Sequence, residues 1–447
     1  MEDRIRLASK PAATPAPSVS PFRIRLASSG EAERLPFLEA RLAYPRVTAK
    51  ALRAVSDMAA ARFYVPPAML ARILREADPV ATVSAEAVRF EGFSACCSAY
   101  ARLDLDDEAL AHVDQRSSGT TNVDFGKEMK QALARAGPQA DMTLRIGSEG
   151  VAIRHEGGGA AEARVPLPLR WIKGFAEVQH HLAAMEHRFS LSRIGALHFL
   201  RRLPRSKDDR RRWVGGAGGL ARIAASPSSG AVPLKGAHRL APLEPLCVFA
   251  AGMDVFHNEA LGSSAWVLNL PGQRLAIVLN AEPWRGFSGD GGILSALAGG
   301  SARHDALLRA RLNWQTRLDE PVLAEASGLR REEIRSGLAR LAAAGLLGYD
   351  LARRSWFHRV LPFDLSRLEP LNPRLRAATR LVENSAVTIG ADGRSAQVAG
   401  ADAVHKVSVN ADGHRCTCPW FARNGNMRGP CKHVLAVELT LHGAGND

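Results

Sequence analysis

The chain has 447 residues, 46% of them hydrophobic and 23% charged, with a formal net charge of +14 and a sequence isoelectric point of about 10.1. This length accommodates about two to four domains with hydrophobic cores of their own, so the chain as a whole needs no metal to fold. The charge favours anionic partners such as nucleic acid without identifying one. No run of eighteen apolar residues is present, and the first residues contain acids and no apolar segment, so we expect no membrane span, no secretory signal and a cytoplasmic protein.

The first three hundred residues divide by composition into four parts. Residues 1–30, rich in Pro, Ala and Ser, predict a disordered tail. Residues 31–200 mix helical spacing with strand-like alternation and predict an α+β region. Residues 201–230, "RRLPRSKDDRRRWVGGAGGLARIAASPSSG", combine a basic run with Gly and Ser and predict a linker or surface loop. Residues 231–300 return to strand-like patterns and predict a β-rich α+β region.

The next segment, residues 301–363, has the clearest helical pattern. It predicts an amphipathic helix over 302–314, a short second helix over 320–328, a third helix over 329–345 that ends at a glycine, and then two apolar strands joined by a turn. This order is typical of a winged helix-turn-helix domain.

Three of the six cysteines lie close together near the end of the sequence, in "HRCTCPWFARNGNMRGPCKHVLAVEL". Cys416 and Cys418 are two residues apart, and alternate residues of a strand point to the same face. Cys431 and His433 follow at the start of a strongly helical stretch, where the helix dipole favours a thiolate. Three thiolates and one imidazole form the closed tetrahedral set that structural Zn²⁺ prefers. His414, on the same predicted strand, is a rival ligand to His433.

This C-x-C and C-x-H pattern resembles the SWIM-type zinc finger. The resemblance implies that Cys416, Cys418, Cys431 and His433 bind one structural zinc ion, in a module that we place at residues 385–447. Segments such as "GTTNVDF" and "RGFSGDGG" also resemble a bacterial family of SWIM proteins. Members of that family are often encoded beside MoxR-class AAA+ ATPases and von Willebrand A-domain proteins, which implies such proteins as possible partners.

Eight arginines are candidates for contacts with nucleic acid because they lie in basic runs or at positions that winged helices use. They are Arg210, Arg211 and Arg212 in the basic run, Arg330, Arg331 and Arg335 at the start of the third helix, and Arg353 and Arg354 at the tip of the wing. For the basic run the alternative is an ordinary solvated loop. For the helix, Glu332 and Glu333 in its first turn would repel phosphates.

The sequence as a whole predicts a multidomain α+β protein with a mixed N-terminal region, a winged helix-turn-helix and a C-terminal SWIM finger. We expect a zinc-binding recognition protein that binds nucleic acid, DNA in the first instance, rather than an enzyme, because no catalytic motif is evident. The alternative is a protein–protein adaptor working with a MoxR-class ATPase and a von Willebrand A-domain protein. An enzyme with a site assembled within residues 30–300 is the third and least favoured hypothesis.

Overall fold

The computed structural model describes residues 35–64, 79–165, 167, 169–299, 301–361, 372–400, 402–410 and 413–443. The tail predicted over residues 1–30 lies outside these residues. Residues Pro36–Asp447 form one compact unit. Among the described residues, no helix has the length and apolar character needed to cross a lipid bilayer.

Antiparallel pairing relates almost all of the strands. In chain order they are β1 (Leu38–Leu42), β2 (Val80–Val83), β3 (Ala87–Phe93), β4 (Ala99–Asp106), β5 (Leu110–Arg116), β6 (Gly119–Asn122), β7 (Thr143–Gly147), β8 (Gly150–His155), β9 (Gly158–Ala163), β10 (Glu186–Ser192), β11 (Arg212–Ala217), β12 (Leu220–Ala224), β13 (Val232–Leu234), β14 (Gly252–His257), β15 (Ser264–Leu270), β16 (Gln273–Leu279), β17 (Leu347–Asp350), β18 (Ser355–His358), β19 (Val387–Ile389), β20 (Ser395–Ala399), β21 (Val404–Ser408) and β22 (Arg415–Cys416).

The helices fall mainly between these strands and in the last third of the chain. They are α1 (Pro45–Ala60), α2 (Lys127–Arg135), α3 (Leu169–Ala183), α4 (Arg193–Arg202), α5 (Leu294–Ala298), α6 (Ala302–Arg309), α7 (Glu320–Ser327), α8 (Arg331–Ala343), α9 (Pro373–Glu383), α10 (Pro419–Asn424) and α11 (Lys432–Gly443).

The largest sheet has eight strands in the order β10–β14–β15–β16–β4–β3–β2–β6, and a second sheet has the order β5–β1–β7–β8–β9. Strands that lie before residue 200 pair with strands that lie after residue 231. The domain boundaries expected at these residues were therefore wrong. β10 pairs with β14, and β16 pairs with β4 over seven residue pairs. Alternation along the sequence identifies a strand but not its partner, which explains the error.

The predicted linker at residues 201–230 also needs correction. β11 and β12 form a hairpin within it, and β13 pairs with the other edge of β11. Gly218 and Gly219 form the turn with φ of 57° and 75°, a left-handed conformation that favours glycine. The glycine-rich sequence thus makes a tight turn rather than a flexible connection.

The central strands β16, β4 and β3 of the eight-stranded sheet are buried on both faces and have no exposed residue. One face packs with α1 and the second sheet around residues such as Leu52, Phe90 and Leu103. The other face packs with α3 around Phe93, Trp171 and similar side chains. Burial on both faces explains why strands such as β15 and β16 contain runs of apolar residues rather than a strict alternation.

Residues 302–358 form three helices followed by a hairpin, which is the order of elements that the sequence predicted. The first helix is shorter than expected and ends at Arg309. The elements share a small core that includes Leu308, Ile334 and Trp356. Identification of this segment as a winged helix stays a prediction. The later residues of α8 are largely buried against neighbouring helices such as α3 and α5, and its exposed residues are Arg331, Glu332 and Arg335 near its start.

Buried ion pairs hold the hairpin β17–β18 against the large sheet. Arg359 pairs with Glu91, and both side chains are fully buried. Arg89 pairs with Asp350 at 3.6 Å, and its guanidinium lies 3.8 Å from the centre of the Phe357 ring. Burial alone would raise the pKa of Glu91, but the positive charges of Arg359 and Arg102 outweigh it and hold the pKa below its usual value.

We expect Glu91→Ala to lower the free energy of unfolding by about 3–5 kcal/mol, because it leaves the buried Arg359 without its counter-ion. Urea unfolding followed by circular dichroism measures this change. The control is Glu325→Ala on the exposed face of α7, which should leave the unfolding midpoint unchanged. Equal stability of the two variants would contradict the role given to the ion pair.

Candidate metal centre

The last four strands form a small sheet in the order β19–β20–β21–β22. β21 and β22 pair as the predicted hairpin, with Val407 opposite Cys416. Cys418 differs from the expectation: it does not lie in the strand but caps the N-terminus of α10, and its sulfur accepts a hydrogen bond from the Phe421 amide at 3.4 Å. The chain turns after Cys416, and this turn brings the second sulfur towards the first.

The other two side chains of the cluster come from the start of α11. Helix α11 begins at Lys432, so Cys431 immediately precedes it and His433 lies in its first turn. The carbonyl of Cys431 accepts the Leu435 amide at 3.0 Å, which continues the helical bonding back to the cysteine. The preceding Gly429 has φ of 71° and lies against the backbone of Gly291, where a larger side chain would clash.

The four candidate ligands converge. The Sγ atoms of Cys416, Cys418 and Cys431 and a ring nitrogen of His433 all lie within 4.8 Å of one another, and all four residues are buried. Cys416 Sγ and His433 Nδ1 are 3.8 Å apart. Tetrahedral zinc with bonds of about 2.0–2.3 Å has ligand atoms about 3.3–3.8 Å apart. The residues therefore fit one zinc ion, which would be structural because four protein ligands leave no position for a reacting water.

The thiols already favour a negative charge at one position. A hydrogen bond from Cys416 lowers the pKa of Cys431 to about 4 against the opposing effect of burial, and His433 adds to the lowering. The pKa of Cys416 is raised, because Cys416 donates this hydrogen bond to Cys431 and because it is buried. Metal binding requires deprotonated thiols, so the lowered pKa of Cys431 favours binding of a cation by the cluster.

His414, the rival ligand, lies elsewhere. Its Nε2 is 3.2 Å from a carboxylate oxygen of Glu438, and it is not among the converging ligand atoms. The prediction of His433 rather than His414 is therefore supported by the geometry.

The apolar residues of the finger divide between two clusters. Val434 and Val437 pack with the three cysteines and the partly buried Trp420 and Phe421. Leu435 instead faces α5 and α9, among residues such as Leu294 and Leu375. Helix α11 thus has one side on the metal cluster and one side on the rest of the protein.

Comparison with known families agrees with this centre. Residues 405–442 match the SWIM zinc finger family. The chain therefore carries a SWIM zinc finger, and Cys416, Cys418, Cys431 and His433 form a ligand set compatible with one structural zinc ion. No curated protein matches the chain.

Two solved structures show a weak likeness to about half of the chain. One is the Proliferating Cellular Nuclear Antigen from Entamoeba histolytica, with a TM-score of 0.36 and 8% identity over 55% of this chain and 99% of that one. The other is the PCNA2–PCNA3 complex from Sulfolobus tokodaii, with a TM-score of 0.38 and 6% identity over 54% of this chain and 98% of that one. Similarity at this level does not establish a shared fold.

One arginine connects the finger to the body of the protein. Arg374, at the start of α9, donates hydrogen bonds to the carbonyls of Arg428 at 2.7 Å, Pro430 at 3.1 Å and Asp290 at 2.9 Å. Its guanidinium also lies 5.0 Å from the centre of the Trp420 ring. Arg374 thus joins the backbone just before Cys431 to the glycine-containing loop around Asp290, which follows β16.

A buried carboxyl group supports the same loop from the other side. Glu177 of α3 accepts the amides of Gly292 at 3.0 Å and Ile293 at 3.4 Å. Burial, and then the nearby Asp290, raise the pKa of Glu177 to about 8. This contact could not be predicted from the sequence, because the two segments are more than a hundred residues apart.

The arginines predicted to bind nucleic acid lie in several places, and most have acidic partners. Arg330 pairs with Glu333, while Arg331 and Arg335 both approach Glu320 at 3.5 and 3.1 Å. These partners compete with any phosphate that approaches the start of α8.

The remaining predicted arginines differ in their surroundings. Arg210 and Arg212 pair with Asp208, and Arg211 pairs with Glu282 at 3.1 Å. Arg353 contacts Asp106 at 3.3 Å. Arg354 is exposed, and the part of the chain that the structure describes gives it no carboxylate partner.

A further basic surface escaped the sequence analysis. Arg394, Lys406 and Arg415 are exposed on the finger, and no ion pair involves them among the described residues. The available signal was the alternation in "VHKVSV", which turns Val407 inward and Lys406 outward. We define these three residues as the basic face of the finger.

We expect Cys431→Ser to lose the zinc ion and to unfold the finger, because the remaining three ligands cannot complete the site. Metal analysis by mass spectrometry and the thermal melt of the full chain measure both effects. His414→Ala is the matched control and should retain one zinc per chain. Unchanged zinc content in Cys431→Ser, or loss of zinc in His414→Ala, would reject the ligand set.

A second expectation concerns pH. The pKa of Glu177 rises from its usual 4.5 to about 8 on folding, so the folded state binds a proton that the unfolded state has released at pH 6.5. Stability should therefore fall as pH rises from about 6.5 to 8. Glu177→Gln should weaken this dependence, whereas the surface control Glu325→Gln should keep it. Melting temperatures of the zinc-loaded proteins test this, and equal pH dependence in all three would contradict it.

Proposed function

We propose that this protein binds nucleic acid, DNA in the first instance, through the basic face of its zinc finger. The observation that carries the proposal is the exposed strand surface on which Arg394, Lys406 and Arg415 present positive charges without acidic partners among the described residues. Exposed, unpaired Lys and Arg side chains are the groups that neutralise phosphates and release counterions.

Strand pairing places Lys406 and Arg415 on one side of the sheet, and Arg394 directly precedes β20 beside them. Arg415 lies opposite Ser408, Ser408 lies opposite Ser395, and Lys406 lies opposite Gln397. Their neighbours along the strands, such as Val407 and Cys416, are buried on the metal side. The outward side is therefore polar and basic along several strands.

Two shallow depressions of about 530 and 730 Å³ lie on this side and share Ser408 and Arg415. The first contains Lys406 and the partly exposed ring of Phe421, and the second contains Arg394 and two asparagines. Cations supply phosphate contacts, an aromatic ring supplies stacking, and amide groups supply hydrogen bonds to bases.

Two described acidic residues near this surface are already engaged. Asp392 accepts the amides of Arg394 at 3.0 Å and Ser395 at 2.8 Å, which lowers its pKa and holds its turn. Glu438 is directed to His414 inside the finger. Neither carboxylate lines the two depressions, so an approaching phosphate meets chiefly donors and cations.

In this proposal zinc acts on the binding surface indirectly. The ion holds the strand that carries Arg415 and the start of α11 in place, which fixes the spacing of Arg415 and Lys406. The arginines of α8 and of residues 210–212 add less, because a phosphate would have to displace their carboxylate partners.

The experiment measures affinity for duplex DNA, single-stranded DNA and RNA over a salt series with full-length, zinc-loaded protein. We expect affinity to fall steeply with salt, and Lys406→Glu/Arg415→Glu to abolish most binding and reduce the duplex salt slope by about 2. The control Arg46→Glu/Arg222→Glu makes the same change in net charge at exposed sites outside the finger.

The control should retain most of the affinity, and both variants should contain one zinc per chain. Equal losses in the two variants would mean that net charge alone drives binding. Absence of binding to all three nucleic acids at low salt would reject the proposal. The adaptor hypothesis, with an ATPase and an A-domain protein as partners, would then take its place.

A further inference from the structure

A cleft of about 870 Å³ lies between α3, α7, α8 and the hairpin β17–β18, and no residue of the finger lines it. Its volume is within the range of about 300–1,000 Å³ that is usual for ligand pockets. Four arginines line it, namely Arg317, Arg331, Arg335 and Arg354. The zinc-finger proposal makes no use of this cleft.

The four arginines divide into two pairs. Arg331 and Arg335, from α8, share the carboxylate of Glu320. Arg317 and Arg354 have no carboxylate partner within the described residues. They also lie close to the same hairpin, because the amide of Leu318 donates to the Trp356 carbonyl at 2.8 Å and Arg354 ends the hairpin turn. Two unpaired guanidinium groups at one edge can hold two carboxylates.

The backbone at Arg354 supports a role beyond the turn itself. Its φ is 50°, in the left-handed region where glycine or asparagine is favoured and an arginine is strained. The turn does not require an arginine, and the side chain lines the cleft. Strain of this kind occurs preferentially at binding sites.

The other lining groups narrow the class of ligand. Apolar side chains such as Ala183, Leu318, Pro321 and Ala339 line the cleft between the charges. Trp356 is only 6% exposed, and Tyr349 and His180 are only partly exposed, so the cleft offers no fully open ring face for a base to stack on. Asp319 and Glu320 also line the cleft and would repel a continuous run of phosphates.

We propose that this cleft binds an acidic segment of a partner protein, in which Asp or Glu residues alternate with apolar residues. The carboxylates would pair with Arg317 and Arg354, and the apolar side chains would lie on the alanine- and proline-lined surface. The two unpaired arginines complement carboxylates, while the acidic residues of the lining would repel a continuous chain of phosphates. The cleft therefore suits a peptide better than a nucleic acid.

The test begins with selection of random dodecapeptides from a phage-displayed library on full-length, zinc-loaded protein. We expect the selected peptides to combine acidic and apolar residues. Synthetic copies should bind Arg317→Gln/Arg354→Gln about tenfold or more weakly than the original protein, because two charge-assisted contacts are lost. The matched control is Arg46→Gln/Arg222→Gln, which should bind as the original does.

A third variant should bind the acidic peptides more tightly than the original protein does. Glu320→Gln removes the carboxylate that Arg331 and Arg335 share, so binding should strengthen several-fold. A purely structural effect of substitution in the cleft would not improve affinity. Thermal melts of all variants confirm that the fold is retained.

Two results would overturn the proposal. In the first, no acidic peptides are selected, or those selected bind Arg317→Gln/Arg354→Gln as well as the control. In the second, single-stranded DNA loses more affinity in Arg317→Gln/Arg354→Gln than in Lys406→Glu/Arg415→Glu, which would assign the cleft to nucleic acid. If affinity for single-stranded DNA falls only in Lys406→Glu/Arg415→Glu, nucleic acid binds the finger and not the cleft, and the proposal stands.

Discussion

The finger depends on one constraint: much of its core consists of metal ligands. Three of the eight fully buried members of its main hydrophobic cluster are Cys416, Cys418 and Cys431. Buried thiols without a shared cation would contribute little to stability and would repel each other as thiolates. The ion therefore determines whether the strands β21 and β22 keep their register. The same register sets the spacing of the outward-facing cations, so the metal supports the binding surface without contacting a ligand.

The protein uses its positive charge differently in its different parts. Between the large sheet and the hairpin β17–β18, arginines are partners of buried carboxylates, and Arg359 with Glu91 is the most enclosed example. These charges hold elements together and are not available to other molecules. On the finger and at one edge of the α8 cleft, cations remain exposed and unpaired among the described residues. The net charge of +14 therefore says less about binding than the positions of a few side chains.

The sequence predicted the metal site better than the architecture, for physical reasons. Ligand spacing is local, so Cys416, Cys418, Cys431 and His433 could be identified from eighteen residues. Even there, the position of Cys418 at a helix N-cap rather than in a strand depended on a turn that alternation does not encode. The contacts of Arg374 and Glu177 could not be predicted, because they join segments distant in sequence. The glycines of residues 215–219 were misread because the same composition suits a linker and a tight hairpin turn.

The order of strands in the large sheet has a consequence for synthesis of the chain. β4 emerges from the ribosome about 170 residues before its neighbour β16, since they lie at Ala99–Asp106 and Gln273–Leu279. Until β16 appears, the edge of β4 in the four strands β6–β2–β3–β4 has no partner strand. Such edges pair readily with other chains, and non-local pairing is slow. A nascent chain paused within this interval would therefore be a natural client for a ribosome-associated chaperone.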